Sequence, residues 1–132
     1  MSQTLPKSPE AMMAVAEATL AALPVHMREA AARVSVRVEE FAEPAILDEF
    51  GIRDPHQLTG LYQGVPLIHE SVTWPSPEGA LIFLYRQPIL AEWRARGDVT
   101  LEDLVAHVFI HELGHHFGWS DEEMDALLEA DG

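Results

Sequence analysis

The chain has 132 residues and a formal net charge of −14, from 22 acidic side chains against 8 Lys and Arg, and it contains no cysteine. That length specifies one domain with its own core. The missing thiols exclude disulfides, thiolate metal sites and cysteine nucleophiles, so any chemistry falls to His, carboxylates, hydroxyls or a bound ion. One lysine, Lys7, and seven scattered arginines form no basic stripe for phosphates, so no nucleic-acid partner is expected. No apolar run reaches the roughly 18 residues needed to span a bilayer, and residues 1–9 lack a signal-peptide core. The expectation is a soluble, cytoplasmic domain over residues 1–132 with no membrane partner.

Ser8, Pro9 and Glu10 are a helix-start signature, a hydroxyl at the N-cap and proline at the first helical position. The apolar run that follows carries the helix to Leu23, and Pro24 ends it. Val34, Val36 and Val38 alternate with Ser35, Arg37 and Glu39, the period of a half-buried strand. Residues 44–50 predict two helical turns stopped by Gly51, and residues 54–60 carry turn chemistry. Two apolar stretches, residues 61–70 and 80–86, read as an antiparallel pair. The second is nearly continuous in apolar residues, as for a strand covered on both faces. Gly64 and Pro66 make the first irregular and edge-like.

Residues 88–96 predict a short helix with Gly97 as its stop. Thr100, three residues before Asp103, opens the next helix with a capping-box-like pattern; this helix runs to Phe117, with Gly118 beyond it. Ser120 and Glu123 repeat the signature for a last helix from Asp121 to about Ala130. The architecture is therefore α+β, a small sheet of three or four strands with helices packed mainly on one side. Leu101, Leu104, Val105, Val108, Phe109, Ile110, Leu113 and Phe117 cover so much of the penultimate helix that it must be central to the core.

Four of the seven histidines fall between His107 and His116. Within that cluster His111, Glu112 and His115 form H-E-x-x-H on a predicted helix. At about 100° per residue the two imidazoles project about 40° apart, with Glu112 about 60° beyond His115. Two imidazoles one turn apart can share a tetrahedral zinc, while the glutamate is placed to take a proton from water on that ion. Gly118 and Asp121 follow at three-residue intervals, giving HExxHxxGxxD. A helix stopped by glycine can turn sharply through a left-handed residue, which makes Asp121 a candidate third ligand. The alternative for Asp121 is an acidic partner of the last helix's dipole, and the two roles are compatible.

The sequence resembles the small zincin-like metallopeptidases of bacteria, single-domain proteins built around HExxHxxGxxD. The resemblance is carried by GLYQGVPL at 60–67, LIFLYRQPIL at 81–90 and HELGHHFGWSDEEMD at 111–125. It implies a shortened zincin fold with a mixed sheet, a Zn2+ cofactor held by His111, His115 and Asp121, and Glu112 as the general base of peptide-bond hydrolysis. Its third ligand is Asp where many larger zincins have His, and Met124 lies too near His115 to form a methionine turn. Two His and one carboxylate leave a fourth position for water, the mark of a catalytic site. The implied partner is a peptide or protein substrate. In zincins an irregular edge strand pairs with extended substrate, and residues 61–69 are the candidate. A non-catalytic peptide-binding module with the metal site retained, and a purely structural metal site, are the competing readings.

Tyr62, His69 and Tyr85 are candidate oxyanion donors by chemistry alone. His107 has the features of a rim or buried histidine, with a second role near the metal as the alternative; His116 reads as packing or solvent-facing. His26 and His56 are isolated. Trp74, Trp93 and Trp119 read as core or rim aromatics, Trp119 with the option of walling the site.

Overall fold

The computed structural model describes residues 5–64 and 80–118, with the backbone alone for His26. The order of elements is α1 (Pro9–Ala21), α2 (Val25–Ala30), β1 (Val34–Glu39), α3 (Pro44–Glu49), a 3-10 turn at Pro55–Gln57, β2 (Gly60–Gln63), β3 (Ala80–Tyr85), α4 (Arg86–Arg96) and α5 (Leu101–Phe117). The last predicted helix, 121–130, lies outside the described residues.

Local chemistry sets most boundaries. Ser8 Oγ accepts from the Ala11 N–H at the start of α1, and Thr100 Oγ1 accepts from the Asp103 N–H at the start of α5. Each satisfies an amide that has no partner within its helix. Two helices differ from expectation: α4 begins at Arg86 rather than residue 88, and α1 ends at Ala21, with a separate short helix, α2, beginning after Pro24. Proline has no N–H to continue the first helix, but its fixed φ, here −54°, suits the residue that leads into the second.

The sheet is mixed, with strand order β1-β3-β2. β1 runs parallel to β3 with Val36 opposite Ile82, and β2 runs antiparallel to β3 with Tyr62 opposite Ile82. β3 is thus the covered central strand, and β2 is an edge of the described sheet. Because side chains alternate across a strand, the register sorts the sheet into two faces. Val34, Val36, Val38, Gly60, Tyr62, Ile82 and Leu84 belong to one face, and Arg37, Glu39, Leu61, Gln63, Phe83 and Tyr85 to the other.

The first face carries the main core, where Ile82 and Leu84 pack with Met12, Leu104, Phe109 and Leu113 from α1 and α5. Leu101, Val105 and Phe109 are fully buried, each a side chain whose removal from water stabilises by about 1.5–3 kcal/mol. The second face holds a smaller cluster of Ala42, Leu47 and Tyr85, bordered by Ile46, Leu61 and Phe83. Arg86 ties the segment before α1 to the residue after β1, donating to the Lys7 carbonyl and, at 2.7 Å, to the Glu40 carboxylate. No helix among the described residues is long and apolar enough to cross a membrane. The expected small α+β architecture, with its principal helix in the centre, is what the fold shows.

Candidate metal centre

The last two turns of α5 carry His111, Glu112 and His115. The imidazole rings of His111 and His115 meet edge to face, 5.3 Å between centroids and 86° between planes. One ligand atom from each of the three residues falls within 4.8 Å of the others. Glu112 Oε1 stands 4.0 Å from His115 Nε2, and the two side chains differ in exposure: His115 is 41% exposed and Glu112 only 13%. The imidazole reaches solvent while the stem of Glu112 lies against the sheet at Gly60.

Gly60 makes that possible. A Cβ there would stand 2.8 Å from Val108 Cγ1 and 3.2 Å from Glu112 Cγ, closer than packed carbons tolerate. The missing side chain lets α5 descend onto β2 and seats the Glu112 stem over the edge strand. By its neighbours Gly60 reads as a turn residue; the signal for its role is a glycine opening an apolar strand, which marks close approach of another element.

His116 is 3% exposed and bonded through both ring nitrogens. Its Nε2 lies 3.1 Å from the Ala30 carbonyl oxygen, which can only accept, so the proton belongs on Nε2; Nδ1 then accepts from the Tyr62 hydroxyl at 2.9 Å. One side chain thereby ties the end of α5 to α2 and β2, next to His115. Gly118, at φ +77°, closes the helix by donating to the Gly114 and His115 carbonyls. A left-handed residue at this position suits glycine because any Cβ would crowd the following carbonyl.

The remaining candidates separate clearly. Tyr62 has its hydroxyl held by His116. Tyr85 is 1% exposed on the opposite sheet face, its phenol pushed up to about 12 by burial first and then by Glu39, Glu43 and Glu112. His107 is exposed beside the groove between α1 and α5 and is not part of the cluster. His56 is exposed and pairs with Asp54 at 3.1 Å, and Trp93 lies beneath the Lys7 ammonium. Asp121, His69, Trp74 and Trp119 lie outside the described residues, as does the His26 side chain.

The group fits a divalent metal. Donors around a tetrahedral zinc stand roughly 3.4 Å apart at bond lengths near 2.0–2.1 Å, so the ligand atoms of His111, Glu112 and His115, within 4.8 Å of one another, would draw together on a bound ion. Imidazole and carboxylate without thiolate is also the donor chemistry of open sites rather than closed structural ones.

No curated protein matches the chain. The sequence profile of the zincin-like metallopeptidases matches residues 31–130, 100 of the 132 residues, and takes in the three strands, α5 and the whole histidine cluster. The chain therefore belongs to the family of zincin-like metallopeptidases.

Proposed function

We propose that the protein is a zinc-dependent peptidase in which His111, His115 and Asp121 hold the metal and Glu112 is the general base. The observation that carries the reading is the convergence of His111, Glu112 and His115 at one end of a buried helix. When bound, zinc supplies a Lewis acid for the scissile carbonyl and acidifies the hydrolytic water. Glu112 accepts the proton from that water and returns it to the leaving amine. Its low exposure keeps competing solvent away from that carboxylate, while the accessible His115 leaves the group open to a substrate. An extended peptide bound along β2 would present its backbone beside Glu112, since Gly60 at the start of that strand lies under the Glu112 stem.

The test is Glu112→Gln, assayed with wild type on a mixed peptide library while zinc content is measured in parallel. The expected result is retained zinc with a loss in kcat of about 100- to 10,000-fold, the usual range for a lost acid–base group. Equal cleavage by both proteins contradicts the role of Glu112. Zinc bound by both with no cleavage by either contradicts the enzyme and leaves a peptide-binding module.

A further inference from the structure

β2 meets α5 at both of its ends. At the first, Glu112 Cγ and Val108 Cγ1 rest over Gly60, where a Cβ would stand 3.2 and 2.8 Å from them. Toward the second, the Tyr62 hydroxyl donates to His116 Nδ1 at 2.9 Å, and the tyrosine leans to Gly64, where a Cβ would stand 3.0 Å from its hydroxyl oxygen. Gly64 thus makes room for the tyrosine as Gly60 does for the helix, and its φ of +153° is one that glycine alone adopts readily.

The two contacts fix different things. Apolar packing is non-directional, so the approach at Gly60 sets a distance and leaves the far end of a four-residue edge strand to its bonds with β3. The hydrogen bond at that far end has a direction, and its acceptor is itself held. His116 is 3% exposed, and its Nε2 donates to the carbonyl of Ala30, the last residue of α2, at 3.1 Å. The imidazole cannot turn to follow a moving tyrosine without giving up that second bond. Nδ1 is therefore a fixed point against which Tyr62 is located.

The register shows what the location is for. The Tyr85 N–H donates to the Thr59 carbonyl at 2.9 Å. Antiparallel strands alternate between pairs that exchange hydrogen bonds and pairs that do not, so Leu61 and Gln63 exchange them with Phe83 and Leu81, while the peptide groups of Gly60 and Tyr62 turn to the outer side of β2. The residue anchored by His116 is thus one whose own N–H and C=O face the side on which an extended peptide would pair. Its anchor sits next to His115 on the helix, so the paired strand and the metal cluster share one reference point.

We infer that Tyr62 and His116 are positioning residues for peptide binding, their hydrogen bond clamping the far end of β2 to α5 at a set distance from the metal cluster. The words peptide binding rest on the peptidase reading; the clamp rests on the geometry of β2 and α5. The experiment compares the zinc-loaded full chain with Tyr62→Phe, His116→Ala and the double variant. In one arm, amide hydrogen exchange is followed by NMR. In Tyr62→Phe, Leu61 and Gln63 should exchange at least tenfold faster, while Ile82 and Leu84, which face β1, stay within twofold. In the other arm, the library peptide that wild type cleaves fastest should show a KM at least fivefold higher in Tyr62→Phe, with kcat within twofold and zinc content unchanged, the pattern of lost uniform binding. Adding Tyr62→Phe to His116→Ala should change KM less than twofold, because both changes break the same bond. Unchanged exchange at Leu61 and Gln63, or equal acceleration at all four amides, overturns the clamp. Selective acceleration with an unchanged KM overturns its role in peptide binding. No cleavage by wild type defeats the peptidase reading instead, and the exchange arm alone then decides the clamp.

Discussion

The two halves of α5 are built for different ends. From Leu101 to Phe109 the helix is capped by Thr100, and Leu101, Leu104, Val105, Val108 and Phe109 are all buried against α1 and the sheet. From Ile110 to Phe117 the same helix keeps only Leu113, Gly114 and His116 buried, and leaves His111 and His115 open to solvent. The first half is held by apolar contact, which is strong and non-directional. The second adds to the core packing of Leu113, Ile110 and Phe117 a few directional bonds, those of His116 and Gly118, and the close approach at Gly60. A single rigid rod thus anchors in the core at one end and presents titratable groups in fixed spacing at the other. The difference teaches that the placement of the metal cluster joins the apolar anchoring of the first half, continued by Leu113, to the local contacts of His116, Gly118 and Gly60.

Substitutions can break that division. Phe109→Ala removes a fully buried ring and should cost about 3–5 kcal/mol of stability, read by denaturant unfolding, with zinc affinity unchanged in the folded fraction. A large drop in zinc affinity without loss of stability would show that the halves are not separable in this way. His116→Ala is the intermediate case. It leaves the Tyr62 hydroxyl and the Ala30 carbonyl without this partner and should cost about 1–3 kcal/mol. Tyr62→Phe should cost less, because His116 keeps its bond to Ala30. Equal stability of His116→Ala and wild type would remove this side chain from the account of how the end of α5 is held.

The effect confined to high pH lies on the far side of the sheet. The Tyr85 phenol, raised from 10 to about 12 in the fold, keeps its proton in the native state while an unfolded tyrosine would lose it. Its contribution to stability is therefore complete below about pH 10 and fades as pH rises toward 12. Tyr85→Phe should flatten that fall, measured as unfolding midpoints across the interval. An unchanged slope would mean that the phenol is not shielded.

The parts legible in the sequence were those written in neighbouring residues. Ser8 and Thr100 announced their helices through caps, Gly97 and Gly118 announced the stops, and the alternating valines of β1 announced a strand. H-E-x-x-H fixed the spacing of His111, Glu112 and His115 because a helix has one periodicity. The short helix α2 went unread because it has no side-chain cap and no glycine stop, whereas α3, equally short and uncapped, is announced by Pro44 at its start and Gly51 beyond its end. The parallel pairing of β1 with β3, the Gly60 contact and the double bonding of His116 were hidden for a common reason. Each joins residues distant in the chain, such as His116 with Ala30 and Tyr62, and no local pattern encodes such a partner.

The most direct test of the central claim is calorimetric zinc titration of the wild type, His111→Ala, His115→Ala and Glu112→Gln, each checked for folding by circular dichroism. The account predicts one zinc per chain in the wild type and in Glu112→Gln, and at least a tenfold weaker affinity in either histidine variant while all four remain folded. Undiminished stoichiometric zinc in both histidine variants would contradict it.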